Sequence, residues 1–386
     1  MILFFRSTTY GGVKIKILLI TPSFVPDFTG MANTTYEKYR WLKNKGIDVK
    51  VLAFTPRYSD PSRINAKFIS DDIIRYMPLS RKGKYGFFFR IVEILNLFFL
   101  IIKNYSDREI IQTMGWSTLN IGLLMAKPFL KAKKYVMVFR GNDGWEYDPN
   151  KILTLRKFQA NSSYVVSNSQ ALADHLASKR IKVDLVVWSE VDTDKFFPTK
   201  KKNGCLNLIT VKGLYPVGGA DIAIDALGYL NKSGIDFKMT FIGDGPLKNT
   251  LLKQAKNLGI ADKIRFLGNI EHDKIPNLLN ESDIFILSSN RESSPHVIAE
   301  AMAVSMPIVA TAVKGTEEFI KDGQTGLLSP IGDAQAFAEN IKRFIEDPDL
   351  RKKCAENAYK FAKKNISHEI CFRKYLTLYE NLMSTN

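Results

Sequence analysis

Short β-rich runs alternate with helix-length stretches in two series along this chain, and that rhythm constrains the architecture more than any other feature. In the first series Lys14 to Thr21 (KIKILLIT) reads as a strand followed by Pro22, Pro26 and Gly30, Asn33 to Lys45 as a helix, and Asp48 to Phe54 as the next strand. In the second, Asn207 to Val211, Phe237 to Ile242, Ile264 to Leu267, Ile284 to Leu287 and Pro307 to Thr311 read as strands. Helices are expected between them at Ala220 to Lys232, Leu247 to Leu258, Ile275 to Glu281 and Pro295 to Val304. Strands separated by helices of this length join through right-handed crossovers into parallel sheets, so two series predict two Rossmann-like α/β domains. Ligands of such sheets bind beyond the carboxyl ends of the strands, which predicts a site facing an interdomain cleft. A chain of 386 residues is long enough for two cores. The apolar pattern breaks between Phe197 and Asn203, at Pro198 and the run Lys200, Lys201, Lys202. The expected domains are therefore residues 1–197, joined by a terminal helix at about 366–386, and residues 198–365.

Three cysteines (Cys205, Cys354, Cys371) and four histidines lie scattered without metal-ligand spacing, so neither a structural metal nor a disulfide framework is expected. Met1 to Gly12 lacks the pattern of a signal peptide, and no uncharged apolar run reaches the ~18 residues of a spanning helix, so a cytoplasmic protein is expected. The net charge is +16, and residues 1–185 hold 29 Lys+Arg against 14 Asp+Glu, or +15. That leaves 26 against 25 for residues 186–386. A basic N-terminal half attracts phosphates, nucleic acid or anionic lipid, or is simply a solvated surface. No aromatic-basic motif supports nucleic acid.

Residues 82–103 are strongly apolar, with Lys82, Lys84, Arg90 and Lys103 near the ends and Glu93 and Asn96 inside. The run reads as a buried helix feeding the strand Glu109 to Thr113, or as an interfacial helix whose basic flanks meet an anionic membrane surface.

The densest local signal follows the apolar strand Asp283 to Ser289: Arg291-Glu292-Ser293-Ser294-Pro295-His296-Val297-Ile298-Ala299-Glu300-Ala301-Met302-Ala303. Glu292 falls in a loop after a strand and Glu300 eight positions later on the next helix. A helix start offers free N–H groups to a diphosphate. Carboxylates on either side accept hydrogen bonds from sugar hydroxyls, a division of labour that suits a nucleotide sugar. A surface pair of Glu292 with Arg291 and a solvated Glu300 are the alternative.

Around these residues the chain resembles glycosyltransferase family 4, over about Lys14 to Glu346 and most densely after Val187. The E-x7-E pattern at Glu292 and Glu300 is followed by the EAMA-type helix and a strand at Pro307 to Thr311. Phe241-Ile242-Gly243-Asp244-Gly245-Pro246 resembles the family's GDGP turn, and Phe266-Leu267-Gly268 its F-x-G element near the base. Glu318 with Asp322-Gly323-Gln324-Thr325-Gly326-Leu327-Leu328 resembles the segment that ends the motif series, and Val191-Asp192-Thr193-Asp194-Lys195-Phe196-Phe197-Pro198 the linker. Gly30 falls where the family has a glycine-rich loop after its first strand, with Thr29 in place of the first glycine of the pair. The resemblance implies the GT-B fold, with the terminal helix returning to the first domain. It also implies sugar transfer from a nucleoside diphosphate with retention of configuration, in which the leaving phosphate helps deprotonate the acceptor hydroxyl. Glu300 would hold the ribose and Glu292 the transferred sugar, with no metal and no cofactor.

Two departures stand out. The Arg and Lys that neutralise the donor diphosphate in the family fall on Gly213 and Gly218 in Lys212-Gly213-Leu214-Tyr215-Pro216-Val217-Gly218-Gly219. Losing both without replacement should nearly abolish transfer. Lys212 and Arg291 are the candidate replacements, and the Gly218 and Gly219 N–H groups a candidate anion nest. The second lies in Phe139-Arg140-Gly141-Asn142-Asp143-Gly144, where Arg140 occupies the position of a histidine found in many relatives. A guanidinium is no base at neutral pH but pairs with phosphate or an acidic sugar, or with Asp143 across the turn.

The candidate catalytic residues are thus Glu292, Arg140 and Asp143. The candidate donor-binding residues are Gly30, Lys212, Gly243, Gly268, Arg291, Ser293, Ser294, His296, Val297 and Glu300. The expected partners are a nucleotide-sugar donor, a glycan or lipid-linked acceptor and an anionic membrane surface. The rival readings are a non-catalytic nucleotide-sugar-binding subunit and a nucleotide-sugar epimerase.

Overall fold

A computed structural model of the protein describes residues 15–27, 29–54, 70–76, 87–115, 118–132, 134–141, 145, 164–199 and 205–384. The chain forms two compact units, residues 1–187 with 372–386 and residues 188–371.

The first unit holds a parallel sheet of seven strands: β1 (Lys16–Thr21), β2 (Asp48–Phe54), β3 (Ile73–Tyr76), β4 (Ile110–Met114), β5 (Lys134–Phe139), β6 (Tyr164–Ser167) and β7 (Leu185–Val186). They lie side by side in the order 3-2-1-4-5-6-7, with Ile17 opposite both Val49 and Ile110 at the centre. Among the described residues its helices are α1 (Gly30–Asn44), α2 (Phe87–Tyr105), α3 (Thr118–Ala126) and α4 (Gln170–Ser178). Leu97, Ile101 and Tyr105 of α2 are buried with Leu18, Leu52 and Ile111 of the sheet, so the apolar run does form a helix with one face in the core. None of the described helices is long and apolar enough to cross a membrane.

The second unit holds a six-stranded parallel sheet: β8 (Leu206–Val211), β9 (Phe237–Ile242), β10 (Ile264–Gly268), β11 (Ile284–Leu287), β12 (Ile308–Thr311) and β13 (Leu327–Ser329), in the order 10-9-8-11-12-13. The order reverses between β8 and β11, where a doubly wound sheet leaves a crevice at the carboxyl ends of its strands. The helices are α5 (Ala220–Lys232), α6 (Lys248–Asn257), α7 (Ile275–Asn280), α8 (His296–Ala303), α9 (Lys314–Glu317), α10 (Ala334–Glu346) and α11 (Pro348–Phe361). Leu227 and Leu230 of α5, Phe241 of β9, Ile286 of β11 and Phe337 and Ile341 of α10 share its core.

The boundary falls ten residues earlier than the break in apolar pattern at Phe197. Residues 188–197 are hydrogen-bonded into the second unit: Trp188 Nε1 donates to Glu318 at 2.7 Å, the Ser189 N–H to Ser294 Oγ at 2.8 Å, and Val191 bridges Ser367. The last helix, α12 (His368–Ser384), begins in the second unit and ends in the first. Within the first unit Phe372 packs on Trp41, the Lys38 ammonium lies 2.9 Å from the centroid of the Tyr375 ring, and the Tyr379 hydroxyl donates to Gln112 on β4.

Candidate functional site

The second unit gathers most of the sequence candidates into the loops after β8, β9, β10 and β11. Three of these loops, after β8, β9 and β11, touch backbone to backbone, and glycine makes that possible. A Cβ at Gly243 would collide with the Lys212 carbonyl, one at Gly245 with that of Leu214, and one at Gly219 with that of Ser288. Gly219 also has φ +61°, which any other residue adopts with strain. Gly243 donates its N–H to the Gly268 carbonyl at 2.8 Å, so these two candidates fasten the ends of β9 and β10 together.

Lys212 leaves β8 and runs over Gly218: a Cβ there would lie 3.3 Å from Lys212 Cγ and 2.9 Å from the Gly213 carbonyl. Its ammonium donates to Glu292 Oε1, which also accepts from the Ser289 hydroxyl at 2.7 Å. A lysine ammonium thus stands beside Glu292 from the position next to Gly213, and glycine at 218 leaves room for the lysine stem. The expected anion nest is absent. The Gly218 N–H bonds the Tyr215 carbonyl at 2.8 Å and the Gly219 N–H that of Pro216 at 3.4 Å, because Pro216–Gly218 folds as a tight turn that turns its donors back on itself.

Glu300, on α8, is buried, and its Oε1 lies 2.7 Å from His272 Nε2. His272 Nδ1 lies 3.0 Å from the Lys195 ammonium, which also pairs with Asp273 at 2.7 Å. An ammonium only donates, so Nδ1 accepts and Nε2 carries the proton that Glu300 receives. The chain Lys195–His272–Glu300 thus fixes one carboxylate oxygen of Glu300. His272 and Lys195 escaped the sequence reading. The signal was Lys195 inside the V-D-x-x-x-F linker, whose buried Phe196 lies 5.4 Å from the His272 ring, centroid to centroid.

Ser293 and Ser294 are buried between these carboxylates in sequence. The Ser294 hydroxyl accepts from the Ser189 backbone and its carbonyl accepts from the Ser189 side chain at 2.7 Å, so Ser294 anchors the loop from below. His296 opens α8, with its Nδ1 3.4 Å from the Glu190 carbonyl, and Val297 follows it. Pro295 occupies the cap position and no side chain caps the helix, which leaves the start of α8 to backbone donors. Arg291 is exposed at the tip of the loop. Gly315, at the start of α9, lets that helix approach the backbone of Glu292 and Ser293.

The remaining candidates belong to the first unit. Gly30 is the first residue of α1, and Thr29, in the place of a glycine, caps that helix by accepting from the Ala32 N–H at 3.1 Å. Arg140 follows β5 and is buried, while Asp143 lies outside the described residues.

The sequence profile described as Glycosyl transferases group 1 matches residues 191–361, and the profile described as Glycosyltransferase Family 4 matches residues 28–191. N-acetyl-alpha-D-glucosaminyl L-malate synthase of Bacillus anthracis is 34% identical over 149 residues, covering 39% of this chain and 39% of that protein. The chain spans about two fifths of the length of this and the next curated relatives it matches. A glycosyltransferase from Rickettsia africae superposes with a TM-score of 0.78 at 23% identity, covering 97% of this chain and 100% of the other. Anabaena HepE, solved in complex with UDP-glucose, superposes with a TM-score of 0.74 at 19% identity over 96% of this chain and 100% of its own. The two units have the GT-B fold of these neighbours, and the chain belongs to the group 1, family 4 glycosyltransferases.

Proposed function

We propose that this chain is a retaining glycosyltransferase that moves a sugar from a nucleoside-diphosphate donor to a glycan or lipid-linked acceptor in polysaccharide or glycoconjugate assembly. The observation that carries the reading is the pair of carboxylates in the second unit, Glu292 and Glu300, each oriented by a basic side chain from another loop. The second oxygen of Glu300 accepts from the ribose hydroxyls, and Glu292 accepts from hydroxyls of the transferred sugar. Lys212 divides its three N–H donors between Glu292 and the diphosphate. The start of α8 adds backbone donors and the positive end of the helix dipole.

In the transfer step the bond between the anomeric carbon and the phosphate oxygen breaks while the acceptor oxygen bonds to the same face of the sugar. The acceptor proton passes to the departing phosphate, so the products are the glycosylated acceptor and the nucleoside diphosphate. Charge builds up on the leaving phosphate, where a positioned ammonium is worth several kcal/mol. Related proteins support the donor class: the structure of Anabaena HepE holds UDP-glucose.

Glycine at both usual cation positions favours one rival, a subunit that binds donor without transferring it. The test is a thermal-shift titration of the full chain against UDP-, GDP- and ADP-sugars, with Glu300→Ala as control, followed by turnover with candidate acceptors. Stabilisation by one donor that vanishes in the variant supports the site and selects the base. Saturable binding with no sugar released or transferred favours the rival, and no shift with any donor removes the donor site altogether.

A further inference from the structure

A helix that lies on a sheet needs one apolar stripe, yet α2 has two. Leu97, Ile101 and Tyr105 recur every four residues on the face turned to the sheet and are fully buried. Ile91, Leu95 and Phe99 recur with the same spacing on another face and are exposed, Phe99 at 64%. Lys103 continues this exposed stripe by one further turn. The neighbouring helix enlarges the patch. Gly122 of α3 sits so close to Leu97 that a Cβ would lie 2.7 Å from the Leu97 Cβ. This close packing brings Phe129, also 64% exposed, to 5.7 Å from the Phe98 ring, which in turn lies 5.0 Å from Phe99. Met125 is exposed one helical turn before Phe129. The fold uses none of these five side chains to fill its core, and a contiguous exposed patch of this kind marks an interaction surface.

Its surroundings select the partner. Lys131, two residues beyond Phe129 in sequence, is exposed and pairs with Glu109 at 3.6 Å, and exposed Lys103 extends the stripe itself. In sequence the stretch between Asp72 and Glu93 carries Arg75, Arg81, Lys82, Lys84 and Arg90 and no acid. The first 185 residues carry a surplus of fifteen positive charges, from 29 Lys+Arg against 14 Asp+Glu. A flat apolar stripe edged by cations matches a lipid surface, where acyl chains take up the aromatic rings and anionic headgroups the lysines. None of the described helices is long and apolar enough to span a bilayer, so the patch lies on it.

We propose that Ile91, Leu95 and Phe99 of α2, with Met125 and Phe129, dock the first unit on an anionic membrane surface through a shallowly inserted apolar stripe rimmed by Lys103 and Lys131. The proposal is independent of the transfer reaction, because binding is read without donor or acceptor.

The experiment is flotation of the full chain with vesicles of phosphatidylcholine alone and with about 30% phosphatidylglycerol. The expected result is flotation with the anionic vesicles only, weakened by salt. Phe99→Glu with Phe129→Glu reduces the partition about tenfold or more, and Lys103→Glu or Lys131→Glu each about fivefold. Both phenylalanines are exposed, so thermal unfolding of the variants should match the parent, and the lysine variants test the same docking if it does not. Failure to float with either vesicle, or equal flotation of the parent and all variants, overturns the proposal. So does light scattering that finds a dimer split by Phe99→Glu, since the patch is then an interface between copies.

Discussion

At the scale of single residues, the site rests on two carboxylates whose partners come from distant loops. Lys212 is the cation that lies over Gly218, and its loss leaves Glu292 with the Ser289 hydroxyl. Lys212→Met should therefore lower kcat by about 10²–10³-fold, the usual loss when one electrostatic stabiliser of a leaving group is removed. A change confined to donor KM would show that Lys212 binds the ground state alone. His272 acts one step further out, on the orientation of Glu300. His272→Phe keeps a ring beside Phe196 and removes the hydrogen bonds to Glu300 and Lys195, of which the one to Glu300 is expected to be worth about 1 kcal/mol. Donor KM should rise roughly fivefold with kcat nearly unchanged. An equal fall in kcat and kcat/KM would place His272 in the chemistry and overturn its positioning role.

At the scale of elements, charge ties the amino ends of the first sheet together. Arg108, buried before β4, pairs with Asp107 at 2.9 Å and Asp48 at 3.1 Å, and Asp107 also pairs with Lys16 of β1 at 2.8 Å. Hydrogen bonding to Arg108, then to Lys16, holds the Asp107 carboxyl well below the usual carboxylate range. A depressed folded-state pKa stabilises the fold above the unfolded value of about 3.9 and is lost as the pH falls toward the folded value. Asp107 is half exposed, so the effect stays under about 1 kcal/mol. Asp107→Asn should destabilise the first unit at neutral pH, and its difference from the parent in urea unfolding should shrink from about pH 5 toward pH 2. A difference that stays constant with pH would mean that the carboxylate charge contributes nothing.

Elements were also the most legible level of the sequence. Periodicity marks β2, α5, β9 and β11 at their observed ends, because each is bounded by glycine, proline or polar residues beside an unbroken apolar pattern. The Glu292 and Glu300 loop was visible through its E-x7-E spacing. Pairings between loops were not: Lys212 with Glu292 and His272 with Lys195 join residues 80 and 77 positions apart, and no local pattern encodes such a meeting. The unit boundary lies ten residues before the break in apolar pattern for the same reason. Residues 188–197 look like a linker locally, but Ser189, through its bonds to Ser294, belongs to the loop it supports.

At the scale of the whole molecule, the two units divide the work unequally. Lys195, Lys212, His272, Glu292 and Glu300 all fall in residues 188–371, whereas the positive surplus and the exposed stripe fall in the first unit. A nucleoside diphosphate without its sugar should therefore act on one unit only. Hydrogen exchange followed by mass spectrometry should show protection in the loops 212–219, 268–275 and 288–300 on addition of the nucleotide selected by thermal shift. The core strands β1, β2 and β4 should exchange as before. At a hundredfold excess over Kd the stabilisation amounts to about 2.7 kcal/mol, large enough to separate the two units' unfolding transitions in calorimetry. Equal protection of both sheets would mean that the nucleotide is held jointly, and the assignment of the donor to the second unit alone would then fall.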